Sequence, residues 1–231
     1  MVNVADALER LRKLETGIVS DVLDEAGVPR HSLSPSIKPL QGNGCIAGKI
    51  LTVRGRKAVK GAHAKKVISV DDIERDIDNN TIVLMDTGQF NEGAALGGFV
   101  ADEFKKRGCH GIILDGCIRD IEEIRHLGLP LYAAGVTPVN GSRRWQWVEV
   151  GETISMPGQD GTPLLVNSGD YVIADQDGVV VIPQAHIQQI MEDSEELYEI
   201  EGRIRTAMAS GASRSEAFKK NPRFSHVRKV S

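Results

Sequence analysis

Gly111-Ile112-Ile113-Leu114-Asp115-Gly116-Cys117-Ile118-Arg119-Asp120 is the stretch that decides the fold. Its first half is a short apolar run, typical of a strand buried on both faces, and it leads directly into a charged turn. A helical pattern from Asp120 to Leu127 follows and ends at Gly128, and residues 129–133 are again apolar. This alternation of strand, helix and strand predicts a parallel sheet.

The same alternation extends upstream and downstream of this stretch. Helices are predicted over 1–14, over a short segment that Thr16 or Ser20 caps and Gly27 ends, over 71–78, over 93–108 with a glycine-rich start, and over about 184–208. Further strands are predicted over 44–54, 81–86, 147–150, 163–167, 171–174 and 179–183. We therefore predict one α/β domain over residues 1–231, with a central, partly parallel sheet, a core over about 16–208 and a frayed tail over 221–231.

Composition and charge exclude several classes of protein. The net charge is −4 and the pI is about 5.9, so the chain lacks the basic surface that binds nucleic acid or an anionic membrane. No apolar run approaches the ~20 residues of a membrane span, and the first residues lack a signal-peptide core, which predicts a cytoplasmic protein. The three cysteines show no C-x-x-C spacing, and the six histidines never recur at i, i+4, so a disulfide framework and a histidine zinc site are disfavoured.

The glycine-rich start of the helix over 93–108 is the first candidate site. Its glycines let a ligand approach the backbone, and the N-terminus of a helix offers free N–H groups and a positive dipole end to an anion. The pattern is neither G-x-G-x-x-G nor a Walker loop, so a small carboxylate suits it better than a nucleotide. Close helix packing through small residues is the alternative interpretation.

The turn Arg119-Asp120 is the second candidate site. A guanidinium group presents a fork of donors that matches a carboxylate, and an aspartate is a hard oxygen ligand for Mg²⁺ or Mn²⁺. The alternative is that Asp120 caps the following helix and Arg119 is a solvated charge. Cys117 is disfavoured as a nucleophile because no histidine is close in sequence.

Four motifs in order resemble the RraA-like superfamily. They are Gly93-Ala94-Ala95-Leu96-Gly97-Gly98, the stretch 111–120, the stretch 127–138 and the stretch 168–183, and the resemblance runs from about Thr16 to Met208. That family includes the class II 4-hydroxy-4-methyl-2-oxoglutarate/4-carboxy-4-hydroxy-2-oxoadipate aldolases, which also decarboxylate oxaloacetate, and the regulator of ribonuclease activity A. The resemblance implies a swivelling β/β/α domain that assembles as a trimer or hexamer, with its active site at a subunit interface.

The resemblance also implies roles for particular residues. Arg119 is expected to bind the substrate carboxylate and keto oxygen, and Asp120 is expected to hold Mg²⁺ largely through water. Backbone amides of Phe99 and Val100, next to Gly97 and Gly98, are expected to grip the carboxylate of the pyruvyl group. Arg119 and Asp120 are thus the expected catalytic residues, with Asp120 as the metal ligand.

The chain departs from the aldolases at one position. They carry an aspartate 21 residues before the arginine, which orders water for proton transfer, and this chain has Gly98 there. Retro-aldol cleavage needs a base at the hydroxyl group, whereas decarboxylation does not. We therefore expect oxaloacetate decarboxylation to exceed aldol cleavage, and Gly98→Asp to raise the latter. The remaining candidates for the base are Glu92, Glu103 and, from a neighbouring subunit, Glu195, Glu196 or Glu199.

The sequence therefore predicts a Mg²⁺- or Mn²⁺-dependent lyase on small 2-oxo acids. It predicts a cytoplasmic homo-oligomer that binds neither nucleic acid nor membrane. Two alternatives stay open. One is a non-catalytic regulator that binds a ribonuclease, and the other is a metal-dependent lyase or hydratase on a sugar acid, with a polar pocket around His63, Lys65 or Arg143.

Overall fold

The computed structural model describes residues 3–42, 44–58 and 68–230, so His63 and Lys65 lie outside the described residues. The helices in these ranges are α1 (Val4–Leu11), α2 (Thr16–Ala26), α3 (Val70–Glu74), α4 (Gly98–Lys106), α5 (Ile121–Leu127), α6 (Ile187–Ala209, after a 3₁₀ turn at Gln184–His186) and α7 (Arg214–Lys220). Within the same ranges, none of them combines the length and the apolar character that crossing a membrane requires.

The strands are β1 (Lys38–Gln41), β2 (Ile46–Lys57), β3 (Thr81–Asp86), β4 (Ala94–Leu96), β5 (Gly111–Ile118), β6 (Leu131–Val136), β7 (Trp145–Val150), β8 (Ile154–Pro157), β9 (Pro163–Val166), β10 (Tyr171–Ala174) and β11 (Val179–Ile182). Nine of the described strands form one sheet in the order β1-β6-β5-β3-β2-β10-β11, with β4 paired to β5 and β7 paired to β2. Strands β2, β3, β5 and β6 run parallel to their neighbours in that group. The predicted α/β fold, with a partly parallel central sheet and helices at both termini, is confirmed.

Both faces of the sheet are covered, which explains the uninterrupted apolar runs of its central strands. Val83 and Met85 of β3 pack into the cluster that includes Phe104 of α4, whereas Ile82 and Leu84 of the same strand pack toward β8–β9. A third cluster lies between the sheet and helices α1, α2 and α6. Because α4 and α5 are held on one face, their N-termini are fixed at the end of β5.

The C-terminal segment corrects one prediction. The expected frayed tail is wrong for residues 221–230, because Phe224, Val227 and Val230 pack against the cluster of α1, α2 and α6. The amide of Val230 donates to Ala26 O at 2.9 Å. Arg228 binds the buried carboxylate of Asp193, with Nη2 2.8 Å from Oδ1. These contacts fasten the segment across α2 and α6.

Several local boundaries also differ from the predictions. The glycine-rich start of the predicted helix over 93–108 contains the short strand β4, and α4 itself begins at Gly98. Strands β1 and β8 and helix α7 were not predicted. The predicted cap of α2 is wrong for both candidates, because Glu15 is the N-cap, Thr16 is the first helical residue and Ser20 lies inside the helix.

Candidate functional site

The two candidate sites of the sequence form one site in the structure. Strand β4 pairs with the end of β5, with Leu96 opposite Ile118, and the amide of Arg119 donates to Leu96 O at 3.1 Å. The glycine-rich turn that follows β4 and the charged turn that follows β5 therefore lie side by side. This is the carboxyl end of parallel strands, where ligands of α/β sheets bind.

Asp120 adopts an unusual backbone conformation. Its φ is 61° and its ψ is 37°, a left-handed conformation that costs free energy for a residue with a side chain. Although it occupies the N-cap position of α5, its side chain does not cap that helix. Its Oδ2 instead accepts a hydrogen bond from the amide of Gly98, the first residue of α4, at 3.1 Å. The cap interpretation was therefore wrong for α5, because the carboxylate lies at the positive end of α4.

Arg119 lies against the same carboxylate. Its Nε is 3.2 Å from Asp120 Oδ2, and the side chains of both residues are about one third exposed. Arg119 also lines the groove described below, and its outer nitrogens have no hydrogen-bond partner among the described residues. Gly97 makes this approach possible, since a Cβ there would lie 2.8 Å from Asp120 Oδ2 and 3.1 Å from Arg119 Nε.

A groove of about 180 Å³ surrounds these groups. Its lining comprises residues 94–100, Arg119, Asp120, residues 140–142, Trp145 and Trp147. The amides of Phe99 and Val100 belong to the first turn of α4 and have no hydrogen-bond partner among the described residues. Both predicted donors are therefore available to an anion. The volume is below the ~300 Å³ at which pockets for larger ligands begin, so the groove suits a small acid.

Phe99 lies at the mouth of the groove with its side chain toward solvent. Its exposed fraction is 79%, the largest among the exposed apolar side chains in the described ranges. An aromatic side chain that projects from a helix N-terminus beside a polar groove leaves apolar surface uncovered.

Glu123 occupies the position that Gly98 leaves open. A Cβ built at residue 98 would lie 2.2 Å from Glu123 Oε2 and 2.4 Å from its Cδ. The carboxyl group of Glu123 thus lies where an aspartate side chain at residue 98 would begin. Sequence analysis missed Glu123, although it lies in the first turn of α5, only three residues after Asp120.

Three of the residues that the sequence offered as substitutes for the missing base have other neighbours within the chain. Glu92 forms an ion pair with Lys57, and Glu195 binds Arg10 through two hydrogen bonds of 2.7 and 2.5 Å. The neighbouring carboxyl group of Glu74, the last residue of α3, raises the pKa of Glu103. Glu196 and Glu199 lie on α6. Arg143 is exposed in the loop before β7.

Asp115 supports the turn between β3 and β4 from below. It is 3% exposed, and its carboxylate accepts hydrogen bonds from Thr87 N at 2.7 Å, Thr87 Oγ1 at 2.6 Å and Gln89 N at 3.0 Å. Burial raises the pKa of this carboxyl group, and the three donors act in the opposite direction. Thr87 O in turn accepts from Trp145 Nε1 at 3.3 Å, so Asp115 also orders one wall of the groove.

The carboxylates of the site fit a hard divalent cation. Within the described ranges, no group of three His, Cys, Asp or Glu side chains lies close enough together to hold a metal ion. Asp120 and Glu123, however, both approach Gly98, one at its amide and one at the place of its absent side chain. Mg²⁺ is usually bound through one or two carboxylates and keeps several water molecules, so Asp120 alone is an adequate ligand and need not share the ion with Glu123.

The fold and the site define an α/β protein with a small groove, lined by an arginine and free helix amides, at the carboxyl end of its parallel strands. A family model described as Aldolase/RraA matches residues 16–181, and the chain belongs to this RraA-like family.

Individual relatives agree with that membership. Protein DlpA of Legionella pneumophila is 28% identical over 91% of this chain, which spans only 33% of the length of DlpA. A 4-hydroxy-4-methyl-2-oxoglutarate aldolase of Thermus thermophilus is 26% identical over 67% of this chain and 85% of its own length. The crystal structure of Streptomyces coelicolor RraAS2, described as an unusual member of the RNase ES inhibitor RraA protein family, superimposes with a TM-score of 0.72 at 22% identity, covering 86% of this chain and 96% of that one.

Proposed function

We propose that this protein is a divalent-metal-dependent lyase that acts on small 2-oxo acids and forms a pyruvate-type enolate. The observation that carries the proposal is the convergence of Arg119, two free amides and two carboxylates on Gly97 and Gly98. The relative from Thermus thermophilus, which is named as an aldolase, supports the same reaction class.

In the proposed complex, the amides of Phe99 and Val100 bind the substrate carboxylate. Two adjacent N–H groups at a helix N-terminus are suited to this task because they combine hydrogen bonds with the positive end of the helix dipole. The outer nitrogens of Arg119 then reach the keto oxygen. Asp120 keeps the guanidinium group in place through the 3.2 Å contact at Nε.

The chemical step develops negative charge on the keto oxygen. When a bond to C3 of the 2-oxo acid breaks, CO₂ or the carbonyl product leaves and the electron pair becomes the enolate, which Arg119 stabilises in a fixed position. A proton from water then adds to C3 and gives pyruvate. Removal of one such donor typically costs about 3 kcal/mol of transition-state stabilisation. A divalent cation held by Asp120 would supply further positive charge to stabilise the enolate.

Glu123 is proposed to move the proton that aldol cleavage requires. Cleavage of a 4-hydroxy-2-oxo acid needs a base for the hydroxyl proton, and Glu123 lies where an aspartate at residue 98 would be. Decarboxylation of oxaloacetate has no such proton to remove. With Glu123 as the base, aldol cleavage no longer has to be poor because residue 98 is glycine, and the role of Glu123 is what the experiment must test.

The test measures pyruvate release from oxaloacetate and from 4-hydroxy-4-methyl-2-oxoglutarate. We expect chelation to abolish both activities and Mg²⁺ or Mn²⁺ to restore them. Glu123→Gln should reduce aldol cleavage about 10²-fold or more, and decarboxylation by a smaller factor. Glu122→Gln is the matched control, because Glu122 lies on the same turn and only pairs with Arg125 at the surface.

Two results would overturn the proposal. Full activity after exhaustive chelation would exclude the metal, and normal aldol cleavage by Glu123→Gln would exclude Glu123 as the base. Absence of turnover with either substrate, at any metal concentration, would favour the second candidate, a ribonuclease-binding regulator, whose support is the structural likeness to RraAS2. The sugar-acid lyase or hydratase would instead be supported by turnover that depends on Arg143.

A further inference from the structure

A second cavity, of about 330 Å³, lies between the first half of α2, the loop that follows α2 and the turn between β8 and β9. It shares no lining residue with the groove around Arg119. Its walls combine apolar side chains such as Leu33, Leu164 and Val180 with a serine and a histidine, Ser20 and His31.

Ser20 turns its hydroxyl group toward His31. A serine inside a helix commonly bonds to the carbonyl group four residues earlier. Here Ser20 Oγ lies 2.8 Å from His31 Nε2, and the residue is only partly buried. Thr16, Ser20 and Asp24 follow the i, i+4 spacing, so they present one stripe of α2 to the cavity.

His31 is held in a single orientation. Its Nδ1 lies 2.6 Å from Val28 O, and because a carbonyl oxygen only accepts, Nδ1 carries the proton of the neutral ring. Nε2 is then an acceptor, and Ser20 Oγ–H donates to it. The side chain is 4% exposed, and the backbone of His31 is anchored to β11 through the amide of Val181 at 2.7 Å.

Two further groups suit nucleophilic chemistry at Ser20. Asp24 Oδ1 lies 3.9 Å from His31 Nδ1, so a carboxylate stands beside the imidazole ring. The amide of Gly17, in the first turn of α2, lines the cavity and has no hydrogen-bond partner among the described residues. It is an available donor for a developing oxyanion.

We propose that Ser20 is a nucleophile activated by His31, and that this cavity takes small neutral or cationic esters. A serine, a histidine within hydrogen-bond reach and a third group that orients the histidine form the arrangement of covalent acyl transfer. This activity is independent of the lyase proposed for the groove around Arg119.

The proposed reaction proceeds in two balanced steps. Ser20 Oγ bonds to the ester carbonyl carbon while its proton passes to His31 Nε2, and the C–O bond to the alcohol then breaks as His31 returns that proton to the leaving oxygen. In the second step a water molecule attacks the acyl group on Ser20 and gives a proton to His31. The acid leaves, and the proton returns to Ser20 Oγ.

The charge around the cavity sets the class of substrate. One cation, Arg30, faces three carboxylates, Asp24, Asp160 and Asp177, among the lining residues. Arg30 is already close to Asp160, with Nε 3.8 Å from Oδ2. An anionic acyl group therefore meets a repulsive field, whereas a short neutral or cationic ester does not.

The primary test is labelling of the full chain with a fluorophosphonate probe, with the modified residue located by peptide mass spectrometry. We expect the probe to modify Ser20 in the wild type and to leave the corresponding peptide of Ser20→Ala unmodified. In His31→Asn, labelling of Ser20 should be slower by a factor of about 10² or more. Asn is chosen because its amide nitrogen keeps the hydrogen bond to Val28 while the base at Nε2 is lost. Ser36→Ala, in an exposed loop, is the matched control and should label like the wild type.

Two further measurements separate the alternatives. Arg119→Ala should label at the wild-type rate, and Ser20→Ala should keep its lyase activity, so failure of one proposal does not imply failure of the other. The wild type should release 4-nitrophenol from 4-nitrophenyl acetate at least ~10-fold faster than from 4-nitrophenyl hemisuccinate. A reference serine hydrolase in the same tube shows that the probe is active. If it reacts fully while Ser20 of the folded protein stays unmodified, the hydrogen bond between Ser20 and His31 only holds α2 to the loop that follows it. Wild-type labelling of folded His31→Asn would exclude His31 as the base.

Discussion

Adding a side chain at Gly98 tests whether Glu123 has taken over that position. A Cβ there would lie 2.2 Å from Glu123 Oε2, and ordinary contact begins at 3.4 Å, so the carboxyl group must withdraw by about 1.2 Å. The flexible end of a glutamate can do this at modest cost, and we expect Gly98→Ala to lower the free energy of unfolding by about 1 kcal/mol. Displacement of the proposed base should lower aldol cleavage about tenfold or more.

Gly98→Asp adds a second negative charge to the same displacement. Two unit charges about 4 Å apart repel by about 4 kcal/mol at an effective dielectric constant of 20, which is an upper limit because both side chains can move apart. The single substitution should therefore reduce activity, contrary to what the sequence alone led us to expect. The double variant Gly98→Asp/Glu123→Ala removes both the steric overlap and the charge repulsion and leaves one carboxylate at this position. It should therefore recover most of the aldol cleavage.

The assay is a double-mutant cycle with kcat/KM for both reactions and a thermal melt of each variant. We expect a coupling energy of at least about 1 kcal/mol between residues 98 and 123 in aldol cleavage. Glu122→Ala replaces Glu123→Ala in a control cycle and should show none. If the effects of Gly98→Asp and Glu123→Ala on the activation free energy of aldol cleavage add within about 0.5 kcal/mol, Glu123 does not occupy the place of a side chain at residue 98.

Three other predictions follow from the structure. Arg119→Lys keeps the charge but loses the fork, so kcat/KM for oxaloacetate should fall by about 2 to 4 kcal/mol, and near-normal turnover would mean that a point charge suffices. Phe99 is exposed at the mouth of the groove, and we expect a second copy of the chain to cover it. Light scattering should therefore report a trimer or hexamer, and Phe99→Ser should weaken this assembly. A fully active monomer would contradict the prediction. Arg228→Ala leaves the buried Asp193 carboxylate without its ion pair and should lower the free energy of unfolding, measured with denaturant, by about 2 kcal/mol. Arg205→Ala removes an exposed ion pair and should lower it by less than about 0.5 kcal/mol. Equal losses would mean that the C-terminal segment adds no specific stability.

Sequence periodicity determined the central sheet because its strands are buried on both faces. Strand β3 runs from Thr81 to Asp86 and β10 from Tyr171 to Ala174, as their apolar runs predicted. Gly128, with a φ of 65°, ends α5 as expected of a glycine that adopts the left-handed conformation. The glycine-rich turn before α4 and the charged turn before α5 were also predicted, because each is encoded by a short run of neighbouring residues that follows an apolar strand.

Only the tertiary structure decided which groups meet in the site. Gly98 and Glu123 are 25 residues apart on different helices, and their contact exists because β4 pairs with β5 and brings α4 beside α5. Asp120 caps α4 and not its own helix because its left-handed backbone turns the carboxylate away, a choice that no local pattern of residues encodes. The segment 221–230 has only three apolar anchors, too few for a periodic signal, and it is ordered by ion pairs and packing with α2 and α6 that form only once those helices are in place.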